Sequence, residues 1–320
     1  MNEYRGKHAP STPWAVSSTA TVSSRRGRHQ RKNKIRRIWI YLLVFLFLVM
    51  LAYPFLEARF LTVDTVSLRS SDLPLEGSPL RIVYLSDIHW GYWYTDGDLS
   101  RLLTKINSLR PDLVLFGGDY ATDYDSALRF FRLLPSLPRI HARYGVFGVL
   151  GETDCLPASE DQVVDSVLLS EAMTNAGVIP LINQTVPVYL KSSRIFIAGL
   201  DDSLRGKPDF KKVASSVSPS DYVILLAHNP SVIQSAQQTL DGSGSLGWFD
   251  LGLFGHTHGG QMKGFSGILG LGDDVPERYL SGWLTENRVD LLISRGVGTS
   301  VFPARLFCSP QIHLVEIKSD

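Results

Sequence analysis

Two histidines share one glycine-rich turn, Gly255-His256-Thr257-His258-Gly259-Gly260-Gln261, directly after the apolar run Asp250-Leu251-Gly252-Leu253-Phe254. A short apolar run bounded by glycine reads as a buried strand, so both imidazoles leave its C-terminal end on a tight turn and can point into one cleft. Three further apolar runs end in groups of the same kind. The run 81–86 delivers Asp87 and His89, the run 112–116 delivers Asp119, and the run 222–227 delivers His228. In an α/β sheet the carboxyl ends of the strands converge on one crevice, which is where ligands bind. Two carboxylates and four imidazoles placed there make a mixed oxygen and nitrogen set suited to borderline divalent metals. Any one of these histidines alone is more often a hydrogen-bonded core or surface residue. The strand-then-ligand layout, repeated four times, is what points to metal chemistry.

The elements that must position these groups follow from periodicity and punctuation. Leu99, Leu102, Leu103, Ile106 and Leu109 fall at helical spacing, and Pro111 stops that helix. Strand, helix, strand over 81–116 is a β-α-β unit, hence parallel strands with a right-handed crossover. Further helices are expected at 125–134 and 160–176, the second ending at Gly177. Further strands are expected at 61–68, 145–150, 178–182, 186–190, 195–198, 289–294 and 312–317. Residues 72–79, with Pro74, Gly77 and Pro79, read as a turn, and Gly242-Ser243-Gly244-Ser245 as a flexible insertion. The loop Trp90-Gly91-Tyr92-Trp93-Tyr94 beside Asp87 and His89 reads first as the packing of a lid. Its other readings are a grip for a nucleobase or acyl chain, or a membrane-interface contact.

Composition changes sharply along the chain. Residues 1–37 hold ten Lys or Arg against one acid, Glu3; removing these from the chain totals of 32 basic and 31 acidic residues leaves 22 and 30. The net charge of +1 therefore hides a strongly basic tail and an acidic body. Rich in Ser, Thr, Pro and Gly, the tail cannot bury enough apolar surface to fold, and disorder is expected there. Residues 38–56 are uncharged; 19 residues at about 1.5 Å rise span roughly 28 Å, close to the ~30 Å hydrocarbon core. The apolar part exceeds that of a cleaved signal peptide and no A-x-A-like site follows, so an uncleaved anchor is expected. Positive-inside bias then places the N-terminus in the cytoplasm and the remainder outside. Arg36-Arg37 also admits a twin-arginine reading. With only Cys155 and Cys308, an exported chain is not a disulfide scaffold, and whether the two pair stays open.

Read in order, Asp87-x-His89, Gly118-Asp119, Gly151-x-x-Asp154, His228-Asn229-Pro230 and Gly255-His256-x-His258-Gly259-Gly260-Gln261 resemble the motifs of the calcineurin-like metallophosphoesterases. Ala198-Gly199-Leu200-Asp201-Asp202, Ser294-Arg295-Gly296-Val297-Gly298 and Pro303-Ala304-Arg305-x-x-Cys308-Ser309-Pro310 extend the likeness over residues 60–318. Within that superfamily the chain is most similar to a membrane-anchored bacterial branch of YkuE-like and UDP-diacylglucosamine pyrophosphatase-like proteins. The resemblance implies an α/β domain of two packed mixed β-sheets flanked by helices, a four-layer α/β/β/α sandwich. It places Asp87, His89, Asp119 and His258 on one metal and Asp119, Glu152, His228 and His256 on the other, with Asp119 bridging. Asp119 and Asp154 are the expected catalytic carboxylates, and manganese, iron and zinc all suit the ligands. Two such cations about 3.5–4 Å apart share a water and clamp the phosphoryl oxygens for in-line attack.

One motif departs from the family. Where the family has Gly-Asn-His followed by Asp or Glu, this chain has Gly151-Glu152-Thr153-Asp154. Glu152 raises the ligand charge to −3 (Asp87, Asp119, Glu152) against +4 for two divalent ions. Thr153 cannot replace a histidine as general acid near neutral pH, a contribution typically worth ~10²–10⁴-fold. A leaving group that is already a weak base tolerates that loss, so phosphodiester or pyrophosphate substrates are expected ahead of alkyl monoesters. The alternative is a metal-binding module that has lost catalysis and serves outside the cytoplasm as a binding or regulatory domain. A cleft on a short tether reaches lipid-linked phosphates, wall polymers or diffusing nucleotides; recognition of nucleic acid is not expected, and the oligomeric state stays open.

Overall fold

The computed structural model describes residues 22–71, 73, 75, 77–91, 93–262 and 274–319. Two compact units divide the chain, residues 1–52 and 53–320. Most of the first is the helix α1 (Val22–Glu57), whose last residues open the second. Its stretch Lys32–Glu57 is long and apolar enough to cross a membrane. Residues 22–37 of the expected tail continue α1: once the apolar run has nucleated a helix, each added residue gains one hydrogen bond, and Lys and Arg are good helix formers. The rest of the expected tail, residues 1–21, lies outside the described residues.

In the second unit, β1 (Thr62–Ser70), β2 (Leu80–Leu85), α2 (Asp96–Ser108), β3 (Leu113–Phe116), α3 (Tyr124–Leu133), β4 (Val146–Gly148), α4 (Ser166–Asn175) and β5 (Ile179–Pro180) come first. The hairpin β6 (Gln184–Tyr189) and β7 (Arg194–Gly199) follows, then α5 (Phe210–Ala214), β8 (Tyr222–Leu226), α6 (Ile233–Gln237) and β9 (Leu251–Phe254). A second hairpin, β10 (Gly282–Glu286) and β11 (Val289–Ile293), precedes the last strand β12 (Gln311–Ser319). Two six-stranded mixed sheets result, ordered β1-β12-β2-β3-β4-β5 and β10-β11-β9-β8-β7-β6.

Side chains alternate between the faces of a strand, and here both faces are apolar because both are covered. Ile82 and Tyr84 of β2 pack with Leu113 and Leu115 of β3 against Ile224, Leu226, Leu251 and Leu253 of the other sheet. Val83, Leu85, Val114 and Phe116 point the opposite way, onto Leu99 and Leu102 of α2 and Phe130 and Phe131 of α3. The outer face of the second sheet, Ala198, Val223 and Leu225, is covered by Val213, Ile233, Ala236 and Trp248. The layers are thus helix, sheet, sheet, helix, as the resemblance implied.

Local chemistry accounts for the departures from periodicity. Asp165 accepts from the N–H groups of Val167 and Leu168, so the helix expected from residue 160 starts only at Ser166. The strand β10 was not expected, since its residues are half-buried without strict alternation. The insertion at 242–245 is an ordered turn, not a flexible one. Asp241 accepts from the N–H groups of Ser243 and Ser245 and from Ser243 Oγ. In the expected turn at 72–79, residues 72, 74 and 76 lie outside the described residues, as does Tyr92 of the aromatic loop. Trp90 of that loop packs edge-on against Phe130 and donates to Asp96, which is the lid-packing role. Cys155 and Cys308 are both buried and free.

Candidate metal centre

Parallel pairing of β2 with β3, and of β8 with β9, brings four carboxyl ends to the same edge of the sandwich. Hydrogen bonds then stitch their loops together. Asp87 N–H donates to Gly118 O (2.9 Å), Gly255 N–H to His228 O (2.8 Å) and His256 N–H to Asp87 Oδ1 (3.0 Å). Each turn is sharp: Asp87 (φ 54°), His89 (46°), Asp119 (54°), His256 (69°) and His258 (51°) all lie in the left-handed region. Asp and His enter that region more readily than most residues, yet each such residue costs of order 1–3 kcal/mol. Concentrating the strain here folds the backbone back at three of the four strand ends, those of β2, β3 and β9, and turns the side chains toward one point. Gly255 is required for the approach, since a Cβ there would meet Asp87 Oδ2 at 2.5 Å.

Five of the seven expected ligands fall into two overlapping buried groups. Asp87, His89 and His258 offer atoms all within 4.8 Å of one another, and so do Asp87, Asp119 and His228. His89 Nε2 and His258 Nε2 face each other at 2.9 Å. Asp119 Oδ2 lies 3.5 Å from His89 Nε2 and 3.3 Å from His228 Nε2, so Asp119 also touches members of both groups. His228 Nδ1 lies 2.8 Å from Gly117 O; donation to that carbonyl orients the ring and turns Nε2 into the cleft.

Whether these residues suit a metal is decided by what they leave unsatisfied. Asp87 Oδ2 and His228 Nε2 are buried and make no hydrogen bond of good geometry. Buried polar atoms without partners are rare in folded proteins, and here two of them lie in the same crevice. Burial pulls His89 below the usual imidazole range, and burial followed by the nearby His89 pulls His258 well below it. Both are therefore neutral near pH 7 with a lone pair to give. For His228, burial alone would do the same, but the carboxylates of Asp119 and then Asp87 override it and raise the imidazole. The donor set fits two cations.

Other expected residues sit differently. The Glu152 carboxylate faces Arg205 (3.5 Å), both side chains being about one-third exposed. His256 lies edge-on to His228 with ring centroids 5.4 Å apart, and its Nε2 is 3.2 Å from Asp274 Oδ1. Asp154, an expected catalytic carboxylate, binds the backbone around Asp119. It is fully buried, and its oxygens accept from the N–H groups of Asp119 (2.8 Å), Tyr120 (2.9 Å) and Gly151 (2.9 Å). Thr153 N–H donates to Asp119 Oδ1 (2.9 Å), while its hydroxyl donates to Ala121 O (2.6 Å). Sequence reasoning missed Asp274 and Arg205, whose partners are distant along the chain. It noted Arg305 only within a motif. Arg305 is buried against His258 Nδ1 (3.4 Å), Gly296 O (3.3 Å) and Cys308 O (3.1 Å).

With that geometry in place, residues 80–260 match the calcineurin-like phosphoesterases. The chain belongs to that family. Among similar members is an uncharacterized metallophosphoesterase of Bacillus subtilis, YkuE, 28% identical over 83% of this chain and 88% of its own length. The phosphodiesterase YaeI of Escherichia coli is 26% identical over 75% of this chain and 83% of its own. A Danio rerio transmembrane protein with a metallophosphoesterase domain is 30% identical over 60% of this chain and 44% of its own. Family membership and the buried ligand groups together make the chain a metal-binding hydrolase of the phosphoester class.

Proposed function

We propose that the chain hydrolyses phosphodiester or pyrophosphate bonds with two divalent or mixed-valence ions of manganese, iron or zinc. We place its catalytic domain at the outer face of the cytoplasmic membrane, held by residues 38–56 with the N-terminus in the cytoplasm. The observation that carries the reading is the pair of overlapping ligand groups meeting at Asp87 and Asp119. Bound there, two cations supply charge neutralisation for the phosphoryl group and a water acidic enough to attack near neutral pH. Asp87, His89 and His258 would hold one ion, Asp119 and His228 the other; His256 and Glu152 stand at the rim as further ligands. Asp119 shares its carboxylate, with Oδ1 steadied by Thr153 N–H and Oδ2 turned to the histidines. The Danio rerio relative's name supports the membrane placement, and the Escherichia coli relative's name supports the diester class.

The choice of bond rests on Thr153. Its proton already goes to Ala121 O, so it has none to give a departing alkoxide. A nucleotide phosphate or a phenolate leaves without one. The test is a panel containing bis-p-nitrophenyl phosphate, a nucleotide pyrophosphate and β-glycerophosphate, run with manganese and with chelator. Turnover of the first two, abolished by chelator, is expected; β-glycerophosphate cleaved as fast as the diester would refute the assignment. Thr153→His should raise monoester turnover by up to ~10²-fold. The same hydroxyl bond also favours a second reading, a binding module without catalysis. That reading holds if the wild type is inert and the Glu152→Asn, Thr153→His double variant gains activity.

A further inference from the structure

The end of the apolar span is bolted to a loop of the catalytic domain. Glu57, the last residue of α1, is buried, and its carboxylate accepts from Phe307 N–H (2.9 Å), Cys308 N–H (2.7 Å) and Ser309 Oγ (3.0 Å). Arg305 N–H donates to Pro54 O (2.9 Å), Phe55 packs edge-on against Phe302 (5.4 Å) and Tyr53 packs against Phe307 (6.2 Å).

That loop turns its apolar side chains outward. Val301 is 77% exposed, Phe302 43% and Phe307 67%, and Phe60 (64%) and Trp93 (42%) are exposed in the same way. Val301 and Phe307 adopt φ of 56° and 53°. A β-branched valine in the left-handed region is a genuine outlier, and such strain persists only where the surroundings enforce it. Phe60 and Trp93 line a cavity of about 400 Å³ together with Pro303 and the cationic Arg59, Arg101 and Lys105. Asp98 pairs with both arginines there, leaving an excess of positive charge.

We propose that Phe60, Trp93, Val301, Phe302 and Phe307 are seated in the interfacial layer of the lipid bilayer where the span leaves it. Arg59, Arg101 and Lys105 then meet anionic headgroups. This rests on the reading of α1 as a membrane anchor. Exposed apolar side chains around one cavity and the loop that runs on from it at Pro303 mark an interaction surface, and its partner here follows from continuity. Phe60 is three residues beyond the span, and the loop is fastened to the span's last turn. Aromatic rings with Lys and Arg beside them are what an interface favours. The seat reaches the metal centre. Arg305, on the same loop, holds Gly296 O, and Cys308 Sγ donates to His258 O (3.1 Å). The loop that carries the seat is thereby joined through hydrogen bonds to the backbone of His258.

The test uses the full chain in nanodiscs of phosphatidylcholine and phosphatidylglycerol, spin-labelled at Val301→Cys or Phe302→Cys. Leu46→Cys reports lipid and Val163→Cys reports water. The buried Cys155 and Cys308 are checked for background by labelling the wild type. Relaxation by oxygen, which concentrates in lipid, is compared with relaxation by a water-soluble nickel chelate. Labels at 301 and 302 are expected to show an oxygen-to-nickel ratio several-fold above that at 163 and approaching that at 46. A ratio matching 163 while 46 reads as lipid overturns the seat and leaves the anchor standing. Shielding of 301 and 302 from both reagents would mean a protein covers the patch, and also overturns it. If 46 itself reads as water, the anchor reading fails and takes the seat with it.

Discussion

Asp154→Asn tests how the centre is held together. The carboxylate accepts three backbone N–H bonds of 2.8–2.9 Å, two on Oδ2 from Asp119 and Gly151 and one on Oδ1 from Tyr120. Burial, and after it the charge on Asp119, push the Asp154 carboxyl upward. The three N–H donors favour the charged form and work against that rise. An asparagine turned to keep both bonds at the Oδ2 position points its NH₂ at Tyr120 N–H. One buried donor is then unpaired, at about 1–3 kcal/mol, and the two surviving bonds lose their charge assistance, about 0.5–1 kcal/mol each. The total of roughly 2–5 kcal/mol corresponds to a melting temperature lower by about 5–15 °C for a domain of this size. Asp119 is strained at φ 54° and tethered through the lost network, so manganese affinity should also fall by ~10–100-fold, the range for outer partners of metal ligands. Calorimetric titration with manganese and a thermal melt of the metal-free chain measure the two effects. Affinity unchanged within a factor of two, together with an unchanged melt, would mean that Asp154 is protonated and that its three bonds do not steady Asp119.

Glu57→Ala leaves the buried N–H of Cys308 and the part-buried N–H of Phe307 without their acceptor, which at about 1–2 kcal/mol each lowers the melting temperature in detergent by roughly 5–12 °C; Glu57→Gln should fall between, and a silent alanine would show the clasp to be incidental. Cation binding should release a proton. His228 is raised above the usual imidazole range and so is protonated at neutral pH in the metal-free chain, whereas a ligand must offer a free Nε2. Affinity therefore falls as pH falls, and titrations in two buffers of different ionisation enthalpy count the proton; no release would remove His228 from the ligand set.

The fold and most of the centre were legible because each signal was local. Strand ends 81–89, 112–119, 222–228 and 250–258 carry apolar runs, glycines and ligands in one stretch, and β2, β3, β8 and β9 follow them. The covering helices were legible where a wide apolar stripe repeats, as in α2 and α3. What stayed hidden was set by pairing at a distance. The role of Asp154 depends on a loop 34 residues away, that of Glu57 on residues some 250 away, and that of Asp274 on a histidine 18 residues earlier. The left-handed backbone at Asp87, His89 and Asp119 leaves no compositional mark, because Asp and His tolerate it where most residues call for glycine.

Glu152 is where the local and the distant arguments meet. By charge alone, a third carboxylate on two divalent ions weakens the pull on an anionic phosphate. Arg205 changes that balance, since its guanidinium lies 3.5 Å from the Glu152 carboxylate and brings the local sum back by one unit. Both groups are about one-third exposed, so the pair is worth at most about 1 kcal/mol and separates easily. If Glu152 turns inward as a ligand, Arg205 is freed at the mouth of the same cleft, where a guanidinium binds phosphate oxygens in a fork that an amide cannot match. On the proposed reading, the extra carboxylate and its arginine would then act together on an anionic substrate. On the same reading, Thr153 alone would narrow which phosphate bonds can be broken.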